Sequence, residues 1–281
     1  MVEISRELVQ SIIVQRPSQS HKGNYGKVLL IGGSTNYGGA IIMATEACVN
    51  SGAGLVATAT HSVNLDALHA RIPEAMFIDW RNRSMNDLIK QMDVIVCGPG
   101  LGMDSVARGL LHSLRESVTS QQTVVLDASA IDLIAQDRSL MPENAGKIIL
   151  TPHQKEWERL SQIRIPYQND SANHTALNLL LPAGNGILVL KSNHTKVYNC
   201  QGEILVNPLG NPGMAIGGMG DTLSGVVGAF CAQFGASMEV AASAVYVHSY
   251  AGDCIFKTDY VVRPVKLSAK IPQVMKELSS K

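Results

Sequence analysis

The chain has 281 residues, 46% of them hydrophobic and only 5% aromatic, which suits one large α/β core and excludes a disordered or fibrous protein. Its 23 Lys and Arg balance 23 Asp and Glu, so binding to nucleic acid through wholesale phosphate neutralisation is not expected. Five scattered cysteines (Cys48, Cys97, Cys200, Cys231 and Cys254) form no C-x-x-C pair, and residues 1–23 lack a cationic end followed by an apolar run; a reduced, cytoplasmic chain is expected.

Short apolar runs then alternate with segments of helical length. The first strand candidate is 27–32 (KVLLIG), followed by Gly33, Ser34 and a helix over 39–51. Strands at 55–59 and 93–97 come next, the second running into Gly98-Pro99-Gly100-Leu101-Gly102 and a helix over 104–118 with Asp104 as its N-cap. Further strands are read at 123–127, 147–151 and 186–191, with a helix over 170–181 carrying Ala172, Ala176, Leu177 and Leu180 at helical spacing. Residues 194–207 read as a β-hairpin turning near 199–202, with 203–206 as a strand. The longest apolar stretch, 222–250, is broken by Gly225, Gly228, Gln233, Gly235 and Glu239, so no membrane span is expected. Several strand runs are continuous rather than alternating, as in a parallel sheet buried on both faces. The alternation predicts right-handed crossovers and a doubly wound, mostly parallel sheet with helices on both faces, in one domain over 1–281.

Ligands of such sheets sit outside the carboxyl ends of the strands. The small and polar residues gather there: Gly32-Gly33-Ser34, the Gly98–Gly102 loop, Asp127, Thr151-Pro152-His153 and Lys191-Ser192-Asn193-His194-Thr195. The sharpest local pattern is Gly217-Gly218-Met219-Gly220-Asp221, because Leu223, Val226, Val227, Phe230 and Phe234 behind it share one helical face. Glycines at a helix start let backbone amides approach an anion such as phosphate. A carboxylate beside them can take a proton from a hydroxyl while the amides hold a phosphoryl group. Asp221 also has the right residue type for a plain helix cap, the glycines at 98, 100 and 102 also suit a tight turn, and His153 also suits an exposed loop. The pattern at 217–221 lacks the Gly-Lys-Ser/Thr of a Walker loop, the 98–102 loop is no dinucleotide fingerprint, and the histidines show no metal-ligand spacing.

Taken in order, these motifs resemble the bacterial ADP-dependent NAD(P)H-hydrate dehydratases of the ribokinase-like superfamily. The resemblance runs from about His21 to Tyr250, through HKGNYG at 21–26, Tyr37-Gly38-Gly39-Ala40, SGAGLV at 51–56, GPGLG at 98–102, LDASA at 126–130, TPH at 151–153, Lys191 to Thr195, NPGMA at 211–215 and GGMGD at 217–221. It implies a hydro-lyase that repairs hydrated NADH or NADPH: a nucleotide phosphorylates the ring hydroxyl, and phosphate leaves to restore the double bond. Asp221 would be the base. Ala40, Gly100, Gly102, His153 and Asp221 would contact the hydrated cofactor. Lys191, Ser192, Asn193, His194, Thr195, Gly218 and Gly220 would bind ADP or ATP, with magnesium accompanying the nucleotide and a separate NAD(P)H-hydrate epimerase as functional partner. The chain departs from the family pattern at Met219, often Thr in GTGD, at Gln154-Lys155, often Pro-Gly, and at Ser192, often Gly.

Two other readings use the same residues: a ribokinase-like kinase for a vitamin precursor or sugar, and a non-enzymatic adenine-nucleotide sensor. The intact Asp221 weighs against the sensor, which needs only the amides. Segments 237–250 and 39–51 carry apolar residues on more faces than one sheet covers; a neighbouring helix or a second subunit must cover them. Together with the family resemblance this predicts a homo-oligomer, with a tetramer favoured.

Overall fold

The computed structural model describes residues 1–82 and 84–279. Ten strands form: β1 (Val2–Glu3), β2 (Lys27–Ile31), β3 (Leu55–Thr60), β4 (Met76–Asp79), β5 (Val94–Cys97), β6 (Thr123–Leu126), β7 (Lys147–Leu150), β8 (Gly186–Leu190), β9 (Lys196–Asn199) and β10 (Ile204–Val206). They make one sheet in the order β1-β10-β9-β8-β7-β6-β5-β2-β3-β4. From β4 across to β8 every pair is parallel, whereas β9 runs antiparallel to both β8 and β10. The hairpin read from 194–207 is therefore the β9–β10 arm that widens the sheet. The chain winds outward in both directions from β2 and β5, which lie side by side, so the switch point falls between the Gly32 and Gly98 loops.

The continuous apolar runs are buried twice over. Val28 and Leu30 of β2 and Val94 and Val96 of β5 face one core, while Leu29, Ile31, Ile95 and Cys97 face the other. The helices are α1 (Arg6–Ile12), α2 (Gly38–Asn50), α3 (Leu65–Arg71), α4 (Met85–Lys90), α5 (Ser105–Ser117), α6 (Ala128–Gln136), α7 (Gln154–Ser161), α8 (Asp170–Leu180), α9 (Met219–Phe234), α10 (Met238–Phe256) and α11 (Pro264–Leu278). The first core takes residues from α1, α2, α9 and α10 and from α11; the second takes them from α4 to α8. Asp104 caps α5 as expected, its carboxylate accepting from the Ala107 amide at 2.9 Å. Residues 222–250 divide into α9 and α10 at Gly235, which ends α9 at φ 84°. No helix among the described residues is long and apolar enough to cross a membrane, and all five cysteines are free thiols.

The apolar surplus on α2 and α10 has an intrachain partner. Helix α11, which carries Pro272 in its interior and so reads poorly as a helix, packs against both of them, and α1 also lies on α10. The two helical surfaces that pointed to a second subunit are thus covered by neighbouring helices, the other of the two solutions open to them. The short edge strands β1 and β4 are additions to the predicted set; both are largely exposed to half-buried and lack the apolar run that marks the central strands.

Candidate active site

Helix α9 begins with Gly218 as its N-cap, in the left-handed region at φ 96°. A side chain there would be strained, and it would also strike the Met43 thioether and Pro264. The first-turn amides of Met219, Gly220 and Asp221 have no intrahelical acceptor, the ordinary state of a helix start, and the helix dipole adds to their pull on an anion. Asp221 is the third helical residue and does not cap: no hydrogen bond to its carboxylate is made among the described residues. Its carboxyl is pushed up to about 6, chiefly by burial and then by the charge of Asp127, with Lys191 pulling the other way. It is a half-buried base with both oxygens free for a ligand.

Beside it sits a charged cluster assembled from three strand ends. Lys191, just past β8, passes under Gly220, where an added Cβ would lie 3.1 Å from the ammonium. That ammonium donates to Asp127 Oδ1 at 2.8 Å and lies 3.9 Å from Glu156 Oε2. Asp127, just past β6, and Glu156, in the first turn of α7, are both buried. Burial lowers the Lys191 pKa, but the two carboxylates outweigh it and hold the ammonium above its usual range. Burial pushes Glu156 up to about 7, against the pull of Lys191. One cation thus serves three carboxylates, and two of the three titrate near neutrality.

His153 is committed to α7 through a capping box. Its Nδ1 accepts from the Lys155 and Glu156 amides at 3.1 Å each, while Glu156 Oε2 accepts from the His153 amide at 2.8 Å. The free Nε2 faces Glu156 Oε1 at 3.3 Å. Burial, followed by the charge of Lys191, lowers the imidazole pKa, so the ring is neutral at physiological pH. Gln154 and Lys155 are exposed, so the departure at these positions leaves the cap and Glu156 in place. Met219 packs its side chain onto the first core, which leaves its amide for an anion but no hydroxyl.

The residues read as substrate contacts are brought together in part. Gly100 abuts Ala40 across the switch point, and the Ser34 amide donates to the Gly100 carbonyl at 2.7 Å. Gly102 stands next to the start of α6, its amide 3.3 Å from Ser129 Oγ. Gly98, at φ 132°, lets β5 turn against the Asp127 carbonyl, where any Cβ would collide, so this glycine is needed for packing. The 191–195 turn is knit together internally: Thr195 Oγ1 donates to the Ser192 carbonyl at 3.3 Å and Ser192 Oγ to the Asn193 carbonyl at 3.1 Å. His194, at φ 60°, places Nδ1 3.2 Å from the Asn207 carbonyl. Asp127 and Glu156 are absent from the residues that sequence motifs singled out as ligand contacts. The signal for them was their position at a strand end, as in LDASA and TPHQKE.

A doubly wound sheet with a glycine-led helix start, a free carboxylate on its first turn and a half-buried lysine beneath defines a protein of the ribokinase-like class. Residues 28–273 match the family model described as NAD(P)H-hydrate dehydratase, and the chain belongs to that family. It is 47% identical to the ADP-dependent (S)-NAD(P)H-hydrate dehydratase of Lactiplantibacillus plantarum, over 99% of this chain and 98% of that one. Its fold superposes with a TM-score of 0.94 on a ribokinase-like superfamily protein from Enterococcus faecalis, 44% identical over 99% of this chain and 96% of that one. An ADP/ATP-dependent NAD(P)H-hydrate dehydratase from Bacillus subtilis, co-crystallised with ATP and magnesium, shares the fold at a TM-score of 0.84 and 24% identity, over 99% of each chain.

Proposed function

We propose that this chain is an ADP-dependent (S)-NAD(P)H-hydrate dehydratase. The observation that carries the reading is the Asp221 carboxylate, unbonded and half-buried, on a helix turn with free amides and with the Lys191 ammonium beside Gly220. Asp221 takes the proton of the ring hydroxyl as its oxygen attacks the terminal phosphorus of ADP. The phosphorus–oxygen bond to AMP breaks, and the amides of Gly220 and its neighbours receive the charge on the phosphoryl oxygens. Phosphate then departs from the ring carbon with the bonding electrons. The adjacent carbon loses a proton to that phosphate, and the double bond of NADH or NADPH is restored. Products are the repaired cofactor, AMP, phosphate and the hydroxyl proton that Asp221 releases to water.

Ala40, Gly100, Gly102 and His153 line the hydrated cofactor in this reading; Lys191 to Thr195, Gly218 and Gly220 bind the nucleotide. The hard carboxylate oxygens here suit magnesium. Among the described residues no three or more metal-binding side chains form a cage, so the ion would be held mainly by the phosphates, with the carboxylates of the Lys191 cluster as available oxygen donors. Its chemistry is to neutralise phosphate charge. A cytoplasmic location and a separate epimerase as functional partner belong to this reading. A homo-oligomer remains part of the reading on the family resemblance, and light scattering tests it: a mass of one chain ends it.

The test is direct. Hydrated NADH or NADPH is incubated with the protein, magnesium and either ADP or ATP, and the return of dihydronicotinamide absorbance is followed. Nucleotide-dependent recovery with release of AMP and phosphate supports the reading. Phosphorylation of an added alcohol in its place, with no recovery, identifies a small-molecule kinase. Nucleotide binding without turnover of any substrate leaves a sensor.

A further inference from the structure

Helix α10 reaches both the loop that follows β10 and the first turn of α9. Ser249 Oγ accepts from Asn207 Nδ2 at 2.8 Å. The Asp253 carboxylate accepts from Asn211 Nδ2 at 2.7 Å and from the Gly210 amide at 3.2 Å. These bonds tie down the 207–214 loop. His248, next to Ser249, is buried and has no part in the chemistry described above.

Its Nε2 lies 2.9 Å from Thr222 Oγ1. The Thr222 hydroxyl donates to the Met219 carbonyl at 2.8 Å, so its one proton is already committed and it can only accept from the ring. This arrangement assigns the imidazole proton to Nε2. Burial pulls the ring down to about 4, so it stays neutral, and the donor persists throughout the neutral range. Met219 and Thr222 are the residues on either side of Gly220 and Asp221. The Thr222 hydroxyl thus joins the two ends of the two-residue segment that holds the phosphoryl amide and the base, and the histidine holds that hydroxyl.

We infer that His248, acting through the Thr222 hydroxyl, is a positioning residue that sets the Asp221 carboxylate against the phosphoryl group. The inference rests on the dehydratase reading for its kinetic test and on the hydrogen-bond chain alone for its structural one. Misplacing a catalytic group by about 1 Å can cost up to about 100-fold in rate.

The experiment compares Thr222→Val, which keeps shape and removes the hydroxyl, with Thr222→Ser, which restores it, and with His248→Gln, which keeps a donor. Turnover of hydrated NADPH with ADP is measured on folded protein. Thr222→Val is expected to lose about 10- to 100-fold in kcat, with KM for the hydrated cofactor within about threefold, because ground-state contacts are made elsewhere. Thr222→Ser is expected to stay within about threefold of the parent in both. The double variant Thr222→Val/His248→Gln is expected to be no worse than Thr222→Val, since the two act as one unit. A folded Thr222→Val with kcat within twofold overturns the inference, as does a loss that Thr222→Ser fails to restore. Nitrogen NMR of the imidazole gives a readout independent of activity. A neutral ring protonated on Nε2 at pH 7 is expected, and a ring protonated on Nδ1, or on both nitrogens, overturns the inference. An inactive parent protein with the expected tautomer would overturn the dehydratase reading while leaving the clamp standing.

Discussion

Replacing Asp221 by Asn removes the base while keeping the shape, and the structure says what else should follow. The carboxylate has no hydrogen-bond partner among the described residues, so the amide strands nothing. Its pKa is raised from 3.8 to about 6 by burial and by Asp127, so the folded protein holds its ionised form at a cost. The sign follows from the two states. Below the unfolded value both states are protonated and the group contributes nothing. Between 3.8 and about 6 the unfolded chain releases its proton first, so stability falls as pH rises. Above the folded value the full penalty is present, about 1–3 kcal/mol at 1.36 kcal/mol per pH unit. Asp221→Asn should therefore raise Tm by roughly 2–6 °C at pH 8 and leave it unchanged at pH 3.5. Turnover should fall by about 100-fold or more, the scale of a lost general base. The parent enzyme should lose kcat as pH drops through about 6, where Asp221 takes up a proton. Thermal melts at the two pH values and the dihydronicotinamide assay read all three effects. Near-parental turnover refutes the catalytic role, and a lower Tm at pH 8 refutes the account of an unpartnered, penalised charge.

Lys191→Met should cost about 3–5 kcal/mol in chemical denaturation, because it leaves the buried Asp127 and Glu156 without their cation. Any activity that survives should have its acid limb shifted upward, since Lys191 lowers the Asp221 pKa; a downward shift would count against the cluster as drawn. Saturating ADP, at about 100 times its Kd, should add about 2.7 kcal/mol of stability if only the folded chain binds it, and an unchanged Tm in ADP, AMP and ATP refutes the nucleotide site. Gly98→Ala should destabilise by about 3 kcal/mol or more, because φ 132° is strained for alanine and its methyl would meet the Asp127 carbonyl; equilibrium unfolding in urea measures it, and a loss below about 1 kcal/mol contradicts the packing.

What the amino-acid order determines alone is what repeats over a few residues. The continuous apolar runs at β2, β5, β6, β7 and β8 specify strands buried on both sides, because each residue must find a core whichever way it points. The glycines before Asp221 specify a helix start open to an anion, because that geometry is local. The β9–β10 hairpin is legible for the same reason. Edge strands β1 and β4 carry no comparable pattern, and α11 conceals itself behind Pro272. Tertiary structure decided everything that depends on who lies next to whom. Asp127, Glu156 and Lys191 come from three strand ends far apart in the chain, and only packing gives them one shared cation. The raised pKa of Asp221 and the neutral ring of His248 follow from burial, which no residue carries in its own name. The apolar faces of α2 and α10 were equally suited to a subunit interface or to a neighbouring helix. Periodicity records that a face must be covered, while only the folded chain shows that α11 covers it.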